Sequence, residues 1–191
     1  MKFLKYSSLL LAIGIFFAAC KTEMIERLPE FSLEQGGYMR TVTPFPVSAT
    51  TFSVSRANMS GTRMEAVLEA VTPEKGARFA SYDLSVRFVD ATPANGNNST
   101  QVVALRSIPA SAYTKDAQTG YPRHTLIITG TELLTATRVT TDQISNGDRF
   151  EVTATMKLTD GRAFNASNTG VNITGGAFYS SPFFYRINVV N

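Results

Sequence analysis

From residue 36 onward, hydrophobic and polar positions alternate with a period of two. In the segment 81–90 (SYDLSVRFVD), Tyr82, Leu84, Val86 and Phe88 share one face, and Asp83, Ser85 and Arg87 the other. Within 62–71, Met64, Ala66, Leu68 and Ala70 repeat the pattern, with Glu65 and Glu69 on the outward side as solvated charges. In 149–158 (RFEVTATMKL), Phe150, Val152, Ala154, Met156 and Leu158 point inward against Glu151, Thr153, Thr155 and Lys157. Strict alternation of this length predicts strands with one wet face, hence an antiparallel sheet. Weaker strand patterns cover 37–43, 51–55, 101–106, 124–129 and 183–190.

Turn-forming residues punctuate these runs at 73–76 (PEKG), 93–98, 118–120 and 146–148. Asp160-Gly161, set between Met156-Lys157-Leu158 and Arg162-Ala163-Phe164, predicts a tight hairpin, because glycine accepts the positive φ of a primed turn. One short helix is expected at 132–137, capped by Thr131. About eight strands and no long helix give an all-β fold: a single antiparallel β-sandwich over residues 36–191, with one short helix and no linker to divide it. The Cys pair and Trp of true immunoglobulin domains are missing, so the pattern itself defines only the sandwich architecture.

The N-terminus follows different rules. Lys2 and Lys5 precede an apolar run at 7–19 (SSLLLAIGIFFAA), which ends in small residues. A basic start, an apolar stretch too short for a comfortable span and a small-residue cut site describe a secretory signal over 1–19. Phe17-Ala18-Ala19-Cys20 resembles the lipobox of bacterial lipoproteins, with Phe17 where Leu is usual. That resemblance implies lipidation of Cys20 and cleavage just before it. Residues 20–35 then read as a lipidated tether, mixed in charge and interrupted by a proline. Lys21 stands where many Gram-negative lipoproteins carry an Asp for inner-membrane retention, which by the same resemblance implies the outer membrane, on its periplasmic or cell-surface face.

Charge and cysteine content narrow the function. Loss of Lys2 and Lys5 with the signal leaves 16 Lys+Arg against 15 Asp+Glu. No basic stripe survives, so a nucleic-acid partner is excluded. One Cys and one His leave no disulfide scaffold and no Cys- or multi-His metal centre, and no cofactor is implied. His124 is the one conventional base; no Gly-x-Ser-x-Gly elbow accompanies it, and it reads as a surface residue at a strand end. The loop 90–98 (DATPANGNN) is oxygen-rich, but calcium draws its affinity from several carboxylates and this loop has one, so a turn stabilised by Asn and Gly is the better account. Tyr113, Tyr121, Phe178 and Tyr179 fall in expected loops, either as a stacking platform for sugars or peptides or folded back over the core edges. The longest polar loop, 111–123, makes Tyr113 and Tyr121 the candidate ligand contacts.

Taken together, Gly37-Tyr38-Met39-Arg40, Glu65 through Ala70, Asp83 through Asp90, Gly147-Asp148-Arg149-Phe150 and Ser181-Pro182-Phe183-Phe184-Tyr185 resemble a group of small surface lipoproteins. Members of that group accompany TonB-dependent outer-membrane importers of the starch-utilisation-system type. The resemblance implies an immunoglobulin-like sandwich on the outer membrane and an accessory, non-catalytic role; it transfers no functional residue except Cys20. The expected function is therefore help in capturing a glycan or peptide ligand, or in assembling the importer. A structural or adhesion lipoprotein making only protein contacts is the alternative, and an anchored hydrolase ranks third.

Overall fold

In the computed structural model of the chain, residues 36–170 and 182–191 are described. The expected signal 1–19, Cys20, the tether 20–35 and the loop aromatics Phe178 and Tyr179 lie outside them. The strands run β1 (Tyr38–Thr43), β2 (Phe52–Ser55), β3 (Arg63–Val71), β4 (Phe79–Val89), β5 (Val103–Pro109), β6 (Thr114–Lys115), β7 (Pro122–Thr129), β8 (Arg149–Leu158), β9 (Ala163–Phe164) and β10 (Phe184–Val190). A helix, α1 (Gly130–Thr137), follows β7. The strands form two sheets, ordered β1-β3-β7-β6 and β2-β10-β8-β4-β5, with β9 beside β8. The protein is all-β and sandwich-like.

Alternation settles which side of each strand is dry. Met64, Ala66, Leu68 and Ala70 of β3 join Tyr82, Leu84, Val86 and Phe88 of β4, and the five expected β8 residues, in one buried cluster. Phe88 and Phe150, opposite each other in register, hold their rings 5.2 Å apart and tilted by 49°. Two tyrosines sit among them with their polar tips satisfied, as burial demands. The Tyr82 hydroxyl donates to the Pro182 carbonyl, and the hydroxyls of Tyr185 and Thr41 lie 3.0 Å apart.

Pairing is antiparallel except between β2 and β10, which run parallel; this corrects the expectation of a purely antiparallel sandwich. The cause lies between β1 and β2. Pro44 and Pro46 have no N–H to continue a ladder, so the chain leaves β3 after Thr43 and re-pairs on β10.

Local chemistry explains the turns. In the turn Pro73–Gly76, Gly76 has φ +85°, and a Cβ there would lie 2.2 Å from Pro122 Cδ, so both conformation and space require glycine. The Asp160-Gly161 hairpin forms, but not on the expected primed turn: of the two only Gly161 has positive φ, +86°, the Leu158 N–H closes a three-residue loop on the Arg162 carbonyl at 2.9 Å, and β9 pairs back onto β8 with Met156 opposite Phe164. The helix cap differs. Thr129, not Thr131, is the N-cap, its side chain accepting from the Glu132 N–H at 3.1 Å, so α1 begins directly off the end of β7. From β5, Arg106 donates to Glu132 of α1 at 2.9 Å and to the Ile127 carbonyl of β7, tying one side of the two sheets together.

Candidate functional site

The outer face of the four-stranded sheet carries a cross-strand row. Register places Arg40 of β1 and Arg123 of β7 on either side of Glu69 of β3. Glu69 is fully buried, which corrects the expectation that it stands in solvent on the outer face. Alternation gave its face correctly; what covers that face comes from distant sequence. Arg40 pairs with one carboxylate oxygen, while Arg123 Nε and Thr119 Oγ1 donate to the other at 2.7 and 2.8 Å. Glu65, four residues back along the strand, remains exposed and pairs with Arg63 at 3.0 Å.

Thr119 arrives because the segment after β6 folds over the sheet. Asp116 accepts from the Gln118 and Thr119 N–H groups at 3.1 and 2.9 Å, an Asx turn, and Gly120 closes it at φ +73°. The Thr119 N–H bond, aided by the Thr119 hydroxyl and the Arg123 charge, outweighs desolvation and holds the Asp116 carboxyl below the usual aspartate value. Arg123 Nη1 reaches Asp116 at 2.7 Å, joining turn and row in one network.

Beside this network an open groove of about 470 Å³ runs along β6 and β7. Ala112, Thr114, Lys115, Asp116, Arg123 and His124 are among its walls. His124 Nδ1 lies 3.0 Å from the Ala112 carbonyl. A carbonyl only accepts, so that nitrogen is the donor. The groove thus offers Lys115, the paired Arg123 and Asp116, hydroxyls and an imidazole: a surface for hydrogen bonding and charge pairing.

The expected loop 111–123 does line the groove, but not through its tyrosines. Tyr113 is 9% exposed and belongs to the core cluster, which favours the folded-back alternative and removes it as a candidate ligand contact. After the turn Ala110–Ala112 its ring tucks inward, 4.7 Å edge-on from Phe79 and 5.0 Å from the His124 ring. Burial pushes its hydroxyl pKa well up, and that hydroxyl has no hydrogen-bond partner among the described residues. Tyr121 is half-buried and lies outside the groove walls. Lys115, Asp116 and Arg123 do the lining instead. Their one sequence signal was the Asp116-x-x-Thr119-Gly120 spacing of an Asx turn.

The loop 90–98 spends its one carboxylate on its own backbone. Asp90 accepts from the N–H groups of Thr92 and Asn98 at 2.9 and 3.0 Å. Buried Asp148 clamps it from β8's entry, accepting from the Ala91 N–H at 2.9 Å, the Thr92 hydroxyl at 2.7 Å and the Ser145 N–H at 2.7 Å. Among the described residues no group of three or more His, Cys, Asp or Glu could hold a metal, and no helix is long and apolar enough to cross a membrane. Comparison with known proteins gives no family model and no curated protein that matches this chain.

Proposed function

We propose that this protein is a non-catalytic accessory lipoprotein of the outer membrane, held by lipid on Cys20, whose sandwich helps a TonB-dependent nutrient importer capture ligand or assemble. One observation carries the reading: the chain's single cysteine follows Ala18-Ala19 at the end of the apolar run 7–19. Acylation there turns a thiol that would be a liability outside the cytoplasm into an anchor, and more than one acyl chain makes attachment stable.

Strand order supports an immunoglobulin-like layout within that reading. Taking β1, β3, β4, β6, β7, β8 and β10 as strands A to G reproduces the A-B-E-D pairing on one sheet and G-F-C on the other, with β5 added beside C. In such a frame, loops and sheet faces are free to bind while the interior only supports. The groove beside β6 and β7, with Lys115, Arg123 and His124, fits a binding role of this kind.

The test is affinity purification of the tagged full-length protein from detergent-solubilised membranes of its native host. A TonB-dependent barrel should co-purify with wild type, and Cys20→Ser should lose it. Recovery of wild-type protein from the membrane with no such barrel would contradict the accessory role.

A further inference from the structure

The second charged surface lies on the other sheet. On the outward face of β10, β8 and β4, register sets Arg186, Glu151 and Arg87 in one cross-strand row. Arg87 Nε and Arg149 Nε both donate to Glu151, each at 2.8 Å, one to either carboxylate oxygen. Both oxygens of Glu151 are thereby engaged. Arg186 is left with its Nε on the Asn188 side-chain oxygen at 2.8 Å and no carboxylate partner among the described residues. Three guanidiniums against one carboxylate leave this face with a local excess of positive charge.

Next to Arg186 stands Phe184, 41% exposed, a large ring on a sheet face where its strand neighbours are polar. Phe184, Arg186, Arg149 and Glu151 share a cleft of about 270 Å³ with the residues 47–49 that precede β2. That rim is fixed. Asn188 Nδ2 donates to the Ala49 carbonyl at 2.8 Å, and the Ser48 N–H donates to the Thr51 hydroxyl at 2.7 Å. The cleft therefore combines an apolar ring, an arginine free to pair and a hydroxyl-bearing wall.

We infer that this cleft binds a carboxylated sugar, a uronic acid unit of an acidic glycan. The C–H face of the sugar ring covers Phe184, and its carboxylate takes the free guanidinium edge of Arg186. An acidic peptide side chain would use the arginine and leave the ring idle; a neutral sugar would use the ring and leave the charge idle. The uronate satisfies both. This inference rests on the reading that the sandwich captures ligand, and it names the class.

The experiment is titration calorimetry on the detergent-solubilised full-length protein with oligogalacturonate, the matched neutral galactose oligomer and a poly-glutamate peptide. Oligogalacturonate should bind, and the neutral oligomer should bind at least tenfold more weakly. Arg186→Gln and Phe184→Ala should each weaken oligogalacturonate about tenfold, with thermal melts unchanged because both side chains reach solvent. Lys157→Gln, farther along the same face on a separate pair with Asp83, should bind as wild type does. Raised salt should weaken binding, since it screens the exposed charge. Equal binding of the neutral oligomer, poly-glutamate binding as tight as uronate, no uronate binding at all, or binding indifferent to both variants would each overturn the site. Loss of importer co-purification with uronate binding intact would sink the accessory role and leave this site standing; the converse would remove the site alone.

Discussion

Glu65 and Glu69 are two glutamates on the same face of β3, and the structure makes opposite demands of them. The Glu69 side chain has no exposure while that of Glu65 keeps 48%. Replacing Glu69 by Gln removes a charge held by Arg40, Arg123 and Thr119 and leaves two guanidiniums facing each other across β3. Breaking a fully buried ion pair costs about 3–5 kcal/mol. Arg40 and Arg123 keep 28% and 26% side-chain exposure, so water recovers part of their solvation. Asp116 also still holds Arg123. The expected loss is therefore about 2–3 kcal/mol for Glu69→Gln, against at most about 0.5 kcal/mol for Glu65→Gln. Urea denaturation at pH 7 gives both numbers. Hydrogen exchange should also show faster amide exchange at residues 116–121 in Glu69→Gln only, because Thr119 loses its anchor. Equal, small losses in the two variants would refute the buried-row account and return Glu69 to the solvated face.

Three further outcomes follow from the core and its charges. Phe88→Ala and Phe150→Ala should each cost about 3–5 kcal/mol, both rings being fully buried, while Arg87→Ala on the opposite face should cost about 1 kcal/mol or less. Similar losses at all three in urea melts would undo the strand phase. Tyr113→Phe should leave stability unchanged or raise it by about 1 kcal/mol, since it deletes a buried hydroxyl that lacks a partner; a loss above 1 kcal/mol in the same assay would show that the hydroxyl is bonded. For Glu151, burial alone would raise the carboxyl pKa, but hydrogen bonds from Arg149 and Arg87 and their charges outweigh it and hold the group below its ordinary value. A depressed folded-state pKa gives stability that is present above the unfolded value of about 4.3 and is lost as pH falls through the folded value. Melting temperatures should thus be level from pH 7 to about 5 and drop below about 4, less steeply in Glu151→Gln; a melt that rises on acidification would reverse the sign.

The long strands were legible because their alternation is dictated by burial on one side alone. β3, β4 and β8 have dry and wet faces that neighbouring residues in sequence already display. β6 and β9, two residues each, are too short to show a period and exist because β7 and β8 pair with them. The parallel seat of β2 was illegible for a related reason: prolines say where a ladder stops, not where the chain pairs next. Site residues suffered most. Tyr113 and Glu69 were each placed by local pattern, and each is governed by contacts with distant segments, Phe79 for one and Thr119 with Arg40 and Arg123 for the other. Alternation alone puts Phe184 and Arg186 on one face of β10, but only register sets that face beside Thr153 and Glu151.

The proposed anchoring to the outer membrane rests on lipidation of Cys20. Cells grown with an alkyne-tagged fatty acid should label the wild-type protein, which should stay in the outer-membrane fraction. The Cys20→Ser variant should carry no label and should leave that fraction. Label persisting on Cys20→Ser, or unlabelled wild-type protein recovered free of the membrane, would contradict the account.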